Sequence, residues 1–157
     1  MSKQAVTPNQ EYAGRVYELT APYQVGREKV ADFARAISSS NPANFSVEVA
    51  RGLGYPDVVA PTTFAVVIAQ AAESQYITDP DAGIDFSRVV HADERFTYRR
   101  PIFAGDELVT ELHVDKVQVR SALSMVTTRA EISALLADGS LEPVVTVIST
   151  LAIRGGE

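Results

Sequence analysis

The sequence predicts an α+β fold in which a long antiparallel sheet wraps around one buried central helix. The helix is indicated by residues 64–72, of which eight of nine are apolar, because a helix that is hydrophobic on every side is typical of a buried position. The sheet is indicated by the second half of the chain, where short turns separate long segments of alternating apolar and polar residues. Such alternation is typical of strands that bury one face.

The N-terminal part of the chain predicts one strand and one surface helix. Residues 1–13 are polar, and we expect them to be loosely ordered. Residues 15–25 alternate weakly and predict a strand that Pro22 interrupts. A helix over residues 27–37 follows, since its apolar residues recur at helical spacing and charged residues occupy the other side. Those apolar residues are Val30, Phe33, Ala34 and Ile37.

The middle of the chain predicts a short helix, a turn and the central helix. Pro42 ends the first helix, because a proline disfavours helical geometry at the residue before it. Residues 45–53 predict the short helix, and residues 54–57, Gly-Tyr-Pro-Asp, predict a turn. We expect the central helix over residues 62–75, with one of the two threonines at its start as the N-cap.

Four long strands complete the predicted sheet, and their lengths determine its shape. At 1.5 Å per residue the central helix is about 21 Å long, whereas strands of this length extend about 40–46 Å. Long twisted strands can curl around a shorter helix. We therefore expect the hotdog fold, with the strands in an antiparallel meander. The predicted strands cover residues 88–98, 107–120, 123–136 and 143–154.

Length, charge and cysteine content exclude several classes of function. The 157 residues are expected to form a single domain over residues 1–157. A net charge of −6 without any Lys- or Arg-rich run argues against nucleic-acid binding. The lack of cysteine and the presence of only two histidines, His91 and His113, argue against a metal site. Without a signal sequence or an apolar run of about 20 residues, we expect a cytoplasmic protein that does not bind membranes.

Four short motifs follow one another between residues 54 and 108. They are Gly54-Tyr55, Val59-Ala60-Pro61-Thr62-Thr63-Phe64, Val90-His91-Ala92-Asp93-Glu94 and Arg100-Pro101-Ile102-Phe103-Ala104-Gly105-Asp106-Glu107-Leu108. In this order and spacing they resemble the MaoC-like family of enoyl hydratases and 3-hydroxyacyl dehydratases, and within it the HadA-type subunits of 3-hydroxyacyl-ACP dehydratases. The resemblance covers residues 13–154. It implies an acyl-thioester substrate carried on acyl carrier protein or coenzyme A, and no cofactor.

The catalytic segment of that family is present in altered form. Competent members carry Gly-Asp-x-Asn-Pro-(Ile/Leu)-His, whose Asp and His activate water and move a proton at C2 of the acyl chain. Residues 38–44 read Ser-Ser-Ser-Asn-Pro-Ala-Asn, so Ser39 stands at the position of the Asp and Asn44 at that of the His. Neither side chain titrates near neutrality. HadA-type subunits also lack the pair, and the resemblance therefore implies a substrate-binding subunit whose MaoC-like partner supplies it, unless the chain forms a homodimer.

The resemblance also implies which residues contact the substrate, and several of them have a structural alternative. The residues are Asn41, Asn44, Pro61, Thr62, Thr63 and His91. The Asn41-Pro42 pair can equally form a turn that ends a helix. Thr62 can be an N-cap rather than a donor of its N–H to the thioester oxygen, and a histidine at the start of a strand is more often structural.

Three other functions stay open from the sequence. The chain can be a self-sufficient homodimeric hydratase that uses His91, or an acyl-thioester binder without activity. A thioesterase is less expected, because such enzymes often use a carboxylate on or beside the central helix and Glu73 lies near its predicted end. Arg99 and Arg100 either meet a phosphate at the mouth of a cleft or are solvated, and we expect His113 to be solvated.

Overall fold

The computed structural model describes residues 6–155. Within them, a two-residue strand and three α-helices precede four long strands. The helices are α1 (Arg27–Ala36), α2 (Val47–Gly52) and α3 (Ala65–Ile77). The strands are β1 (Tyr23–Gln24), β2 (Val89–Tyr98), β3 (Glu107–Gln118), β4 (Leu123–Leu135) and β5 (Leu141–Arg154). The predicted α+β fold is confirmed, and each helix and long strand lies close to its predicted position.

The sheet is antiparallel throughout, with the strand order β1-β3-β4-β5-β2. The expected meander is correct for β3, β4 and β5 but wrong for β2, which pairs with β5. The reason lies in the connection from β2 to β3. Its backbone is hydrogen-bonded to the segment before α3, where the Ala60 N–H donates to the Ile102 carbonyl (2.8 Å) and the Ala104 N–H donates to the Val58 carbonyl (3.0 Å). These bonds hold the connection against that segment, so no hairpin joins β2 to β3.

The inner face of the sheet packs against α3 and forms the core. The alternation predicted for β4 is confirmed, since one face of that strand is buried along its whole length. The buried residues of that face are Ser124, Val126, Thr128, Ala130, Ile132 and Ala134. On the helix, Ile68, Ala72 and Tyr76 are buried and belong to the same hydrophobic cluster.

One side of α3 is exposed, which corrects the prediction of a helix buried on all sides. Gln70, Ala71 and Ser74 are exposed, because the single sheet covers only the opposite side of the helix. Gln70 and Ser74 are polar but uncharged, so the sequence marks the exposed side only weakly. This exposed side of α3 lies next to β2, at the edge of the sheet.

The N-terminal segment is better ordered than expected. The expectation for residues 1–13 falls partly outside the described residues, but Gln10–Tyr12 form a 3₁₀ helix that Asn9 caps. Tyr12 is buried, its ring packs at a tilt against that of Tyr76, and its hydroxyl donates to Asp79 (3.1 Å). This aromatic anchor fixes the segment. The strand expected over residues 15–25 is reduced to β1 and an isolated bridge between Val16 and His113.

Two further properties concern membranes and metals. Within residues 6–155, no helix has both the length and the hydropathy that crossing a bilayer requires. In the same part of the chain, no three His, Asp or Glu side chains converge where they could hold a metal ion.

Candidate functional site

A cleft of about 610 Å³ lies where the end of α1, the start of α3 and the end of β2 meet. We call it the first cleft. Its wall consists of Ile37, Ser39, Asn41, Asn44, Tyr55, Val59, Ala60, Pro61, Thr62, Tyr98, Arg99, Arg100 and Pro101. Four of the six predicted substrate-binding residues are therefore brought together here. The exceptions are Thr63 and His91.

A sharp turn after α1 places Ser39 and Asn41 in this wall. Ser38 has a φ of 56°, in the left-handed region, which ends the helix and redirects the chain. Pro42–Asn44 then form a 3₁₀ turn, and the Asn41 side chain caps it by accepting from the Ala43 N–H (3.0 Å). The predicted helix-ending turn at Asn41 and Pro42 is thus confirmed, and Asn41 also lies in the wall of the cleft.

Ser39 and Asn44, at the family's Asp and His positions, contact each other. The Ser39 hydroxyl donates to Asn44 Oδ1 (2.7 Å), and Asn44 Nδ2 donates to the Val59 carbonyl (2.6 Å). Asn44 is buried, with 2% of its surface exposed. Two neutral side chains thus form the inner wall of the cleft, and their buried polar atoms are hydrogen-bonded.

The start of α3 forms the opposite wall. The N-cap residue is Phe64, without a side-chain cap, so the expectation that Thr62 or Thr63 caps the helix is wrong. The chain makes a tight turn there, and the Thr62 carbonyl accepts a hydrogen bond from the Tyr98 hydroxyl (2.5 Å). Burial raises the pKa of Tyr98 to about 12, so this hydroxyl is a hydrogen-bond donor at neutral pH. Thr63 is exposed and lies outside the wall of the cleft.

The two arginines at the rim differ in their surroundings. Arg100 is mostly buried and makes a two-pronged ion pair with Asp106 (2.9 and 3.0 Å) and a second contact with Glu142. Arg99 is exposed, and its side chain donates to the Thr146 hydroxyl (3.4 Å). The rim therefore has one structural arginine and one whose charge faces solvent.

His91 lies in a different cleft, of about 600 Å³, between α3 and β2. We call it the second cleft. Its wall consists of Gln70, Glu73, Ser74, Ile77, Thr78, Phe86, Val89, Val90 and His91. His91 therefore does not line the first cleft with Asn41 and Thr62, because β2 enters the sheet beside β5 and carries the start of the strand away from that cleft.

Glu73 borders the second cleft and was not among the site residues predicted from the sequence. Its side chain is 3% exposed; one carboxylate oxygen accepts from the Thr128 hydroxyl (2.7 Å), and the other contacts His91 Nε2 (3.3 Å). Burial raises the pKa of Glu73, although the hydrogen bond from Thr128 and the neighbouring His91 oppose this shift. A usable signal was present, since Glu73 is the one charged residue of α3.

The other histidine, His113, forms a similar pair on the outer face of the sheet. Its Nε2 lies 2.7 Å from Glu111 Oε1, and the Glu111 side chain is 46% exposed. This pair borders neither cleft, and it provides an internal comparison for Glu73 and His91.

Residues 12–139 match the family model described as FAS1-like, dehydratase domain region. The chain belongs to this dehydratase family. Its relatives include a UPF0336 protein of Clavibacter michiganensis subsp. michiganensis. That protein is 48% identical over 149 residues, which cover 95% of this chain and 97% of the relative.

Two solved structures place the chain among the hotdog dehydratases. The C-terminally truncated HadBC complex, a (3R)-hydroxyacyl-ACP dehydratase from Mycobacterium tuberculosis, matches with a TM-score of 0.78 and 33% identity over 90% of this chain and 96% of that chain. A MaoC-like dehydratase matches with a TM-score of 0.80 and 29% identity over 91% of this chain and 42% of the longer one. The resemblance indicated by the motifs and the hotdog fold are both confirmed.

Proposed function

We propose that this chain is the acyl-binding subunit of a (3R)-hydroxyacyl-thioester dehydratase, or enoyl hydratase, and that a MaoC-like partner supplies the acid–base pair. The observation that carries the proposal is the contact between Ser39 and Asn44 in the first cleft. Hydration needs one group to activate water and another to manage the proton at C2. A hydroxyl and an amide do neither at neutral pH.

The first cleft retains features that suit an acyl thioester. Its wall combines apolar residues, among them Ile37, Val59 and Pro101, with polar ones. Among the described residues, no acceptor bonds the Thr62 N–H, so this donor, two residues before the N-cap Phe64, is available to a thioester oxygen. Arg99 at the rim is suited to a phosphate of the carrier arm, of coenzyme A or acyl carrier protein. Both carriers are cytoplasmic, and we propose that location.

The edge of the sheet is the surface that we propose for the partner. Among the described residues, β2 pairs with β5 alone, so its other edge exposes unpaired backbone groups. Such an edge invites pairing with another chain, and the uncharged exposed side of α3 lies beside it. The similar structure from M. tuberculosis is itself a complex of two subunits. A mixed assembly would join the first cleft to a second hotdog chain that carries the Asp and His.

The test is the hydration of trans-2-enoyl-CoA thioesters by this chain alone, by a MaoC-like chain that retains the Asp/His pair, and by their mixture. We expect no hydration activity from this chain alone. We expect the two chains to co-purify and their mixture to have a higher activity than the partner alone, above all with long acyl chains. In the mixture, Thr62→Trp fills the first cleft and should reduce activity to the level of the partner. The matched substitution Ser40→Trp lies on the exposed surface outside the cleft and should not.

Two results would contradict the proposal. Robust hydration by the purified chain alone would favour a self-sufficient homodimer. Tight acyl-CoA binding without any gain in the mixture would favour an acyl-thioester binder without activity.

A further inference from the structure

Thr62, in the wall of the first cleft, has a backbone that is held from two directions. Its N–H belongs to the same peptide group as the Pro61 carbonyl, and that carbonyl accepts from the Phe64 N–H (2.9 Å). Its own carbonyl accepts from the Tyr98 hydroxyl (2.5 Å). A peptide group is planar, so a hydrogen bond at its carbonyl also restrains the direction of its N–H. Both peptide groups that flank Thr62 are therefore anchored, one by the turn itself and the other by Tyr98.

Tyr98 itself has a fixed position in the fold. It is the last residue of β2 and is paired with Val145 on β5. The strand pairing continues past it, since the Arg99 N–H donates to the Val144 carbonyl (2.8 Å), and the Tyr98 ring packs against the hydrophobic core. The hydroxyl therefore reaches Thr62 from a strand whose place the sheet determines.

The same hydroxyl lies at the start of α3, where the helix lacks a side-chain cap of its own. The N-cap residue, Phe64, makes no side-chain hydrogen bond to the helix. Burial raises the pKa of Tyr98, and the Ala65 N–H, the first of the helix, partly opposes that rise. One oxygen atom thus contacts both the carbonyl before the helix and the first N–H within it.

Stability alone explains this hydroxyl poorly. Thr62 and Thr63 are exposed, so water can satisfy the Thr62 carbonyl when Tyr98 does not. A phenylalanine would place the same ring against the core. What the hydroxyl adds is a fixed direction for the Thr62 backbone, in a turn that otherwise faces solvent.

We propose that Tyr98 is a positioning residue for thioester recognition, whose hydroxyl holds the Thr62 backbone so that the Thr62 N–H binds the thioester oxygen. A donor that is oriented before the ligand arrives loses little conformational entropy on binding. Without the hydroxyl, the turn would have to be ordered by the ligand itself. The inference rests on the proposed function and deepens it, because it makes the carbonyl oxygen, as well as the acyl chain, a feature that this subunit recognises.

The experiment compares two ligands that differ at one carbonyl: octanoyl-CoA, a saturated thioester that cannot be hydrated, and S-octyl-CoA, the corresponding thioether. Calorimetry measures the Kd of each ligand for the full chain, alone and in the mixed assembly, with the partner alone as reference. We expect the wild type to bind the thioester about fivefold more tightly, as one hydrogen bond provides. Tyr98→Phe should remove most of this preference and leave the Kd of the thioether unchanged.

Tyr17→Phe is the matched control. It removes the hydroxyl of another half-buried tyrosine, which donates to Asp79 (3.1 Å) and lines neither cleft. This variant should keep the preference for the thioester. The far-UV circular dichroism of Tyr98→Phe should stay that of the parent, which separates positioning from folding.

Infrared spectroscopy of octanoyl-CoA with a ¹³C-labelled carbonyl detects the same hydrogen bond directly. A hydrogen bond to a carbonyl oxygen lowers its stretching frequency. We expect the bound thioester to absorb at a lower frequency in the wild type and in Tyr17→Phe than in Tyr98→Phe.

Three results would overturn the role of Tyr98 and leave the acyl-binding subunit intact: equal affinity of the wild type for both ligands, a preference that Tyr98→Phe keeps in full, or an equal loss in Tyr17→Phe. Failure of this chain to bind either ligand, alone and in the mixed assembly, would instead contradict the proposed function and this inference with it.

Discussion

The two clefts have nearly the same volume, about 610 and 600 Å³, but opposite chemistry. In the first, the positions that a competent relative gives to Asp and His hold a serine and an asparagine that bond each other. In the second, which the family's catalytic segment does not include, a buried carboxylate contacts a histidine. A family motif therefore indicates where a site lies, and the described contacts indicate which groups there can exchange protons.

The difference follows from how each cleft is built. Turns form most of the first cleft, and neutral hydrogen bonds such as that from Asn44 to the Val59 carbonyl fix its shape. Regular elements form most of the second cleft, and its central contact joins α3 to β2. We therefore expect substitutions in the first cleft to change the free energy of unfolding by removing a hydrogen-bond partner. In the second cleft we expect the effect of a substitution on that free energy to depend on pH.

The largest effect on stability is expected from Arg100→Ala at the rim of the first cleft. The substitution leaves Asp106 without its two-pronged partner, and Asp106 also accepts from the Phe103 N–H in the turn before β3. Charge-assisted hydrogen bonds of this kind contribute about 1.5–3 kcal/mol, and urea unfolding should show that loss. The neighbouring exposed Arg99→Ala should change the free energy of unfolding by less than about 0.5 kcal/mol. Equal effects would show that Arg100 has no special role at the rim.

A somewhat smaller effect is expected from Asn44→Ala. The substitution removes the donor to the buried Val59 carbonyl and the acceptor of the Ser39 hydroxyl. Unsatisfied buried groups cost about 1–3 kcal/mol, and we expect about 2 kcal/mol by urea unfolding at pH 7. Ser40→Ala, on the exposed surface one residue from Ser39, is the matched control and should be close to neutral. A neutral Asn44→Ala would show that the bonds within the first cleft do not determine its shape.

The smallest effect, and the one that depends on pH, is expected from Glu73→Gln in the second cleft. Because burial raises the pKa of Glu73 in the folded protein, the unfolded chain releases this proton first as the pH rises. As the pH rises above 4.5, the ordinary pKa of a glutamate, the free energy of unfolding of the wild type therefore falls relative to that of the variant. The difference levels off once the pH exceeds the pKa of Glu73 in the folded protein. We therefore expect Glu73→Gln to be more stable than the wild type at neutral pH and almost equally stable at pH 4.

Urea unfolding at a series of pH values between 4 and 8 measures that difference directly. A difference that stays constant over this range would contradict the raised pKa. A difference of the opposite sign would show that His91 and Thr128 more than compensate for burial.

The sequence predicted the elements far better than their arrangement. The strands and α3 were predictable because alternation and apolar runs are local signals, and Asn41-Pro42 identified the turn. The pairing of β2 with β5 was not, because it depends on hydrogen bonds between the connection after β2 and the segment before α3. The contact of Glu73 with His91 was missed for the same reason, since β2's place in the sheet brings the two residues together.

The most direct test of the central claim is to place the missing pair in the first cleft. The double variant Ser39→Asp/Asn44→His puts an acid and a base where two side chains already contact each other, and a ring N–H of the new His can donate to the Val59 carbonyl as Asn44 does. We predict hydration of trans-2-enoyl-CoA at least about 100-fold above the parent chain, with no gain in the misplaced control Ser40→Asp/Asn44→His. A folded double variant as inactive as its parent, or a parent already active alone, would contradict the account of the first cleft as a dehydratase site that lacks two side chains.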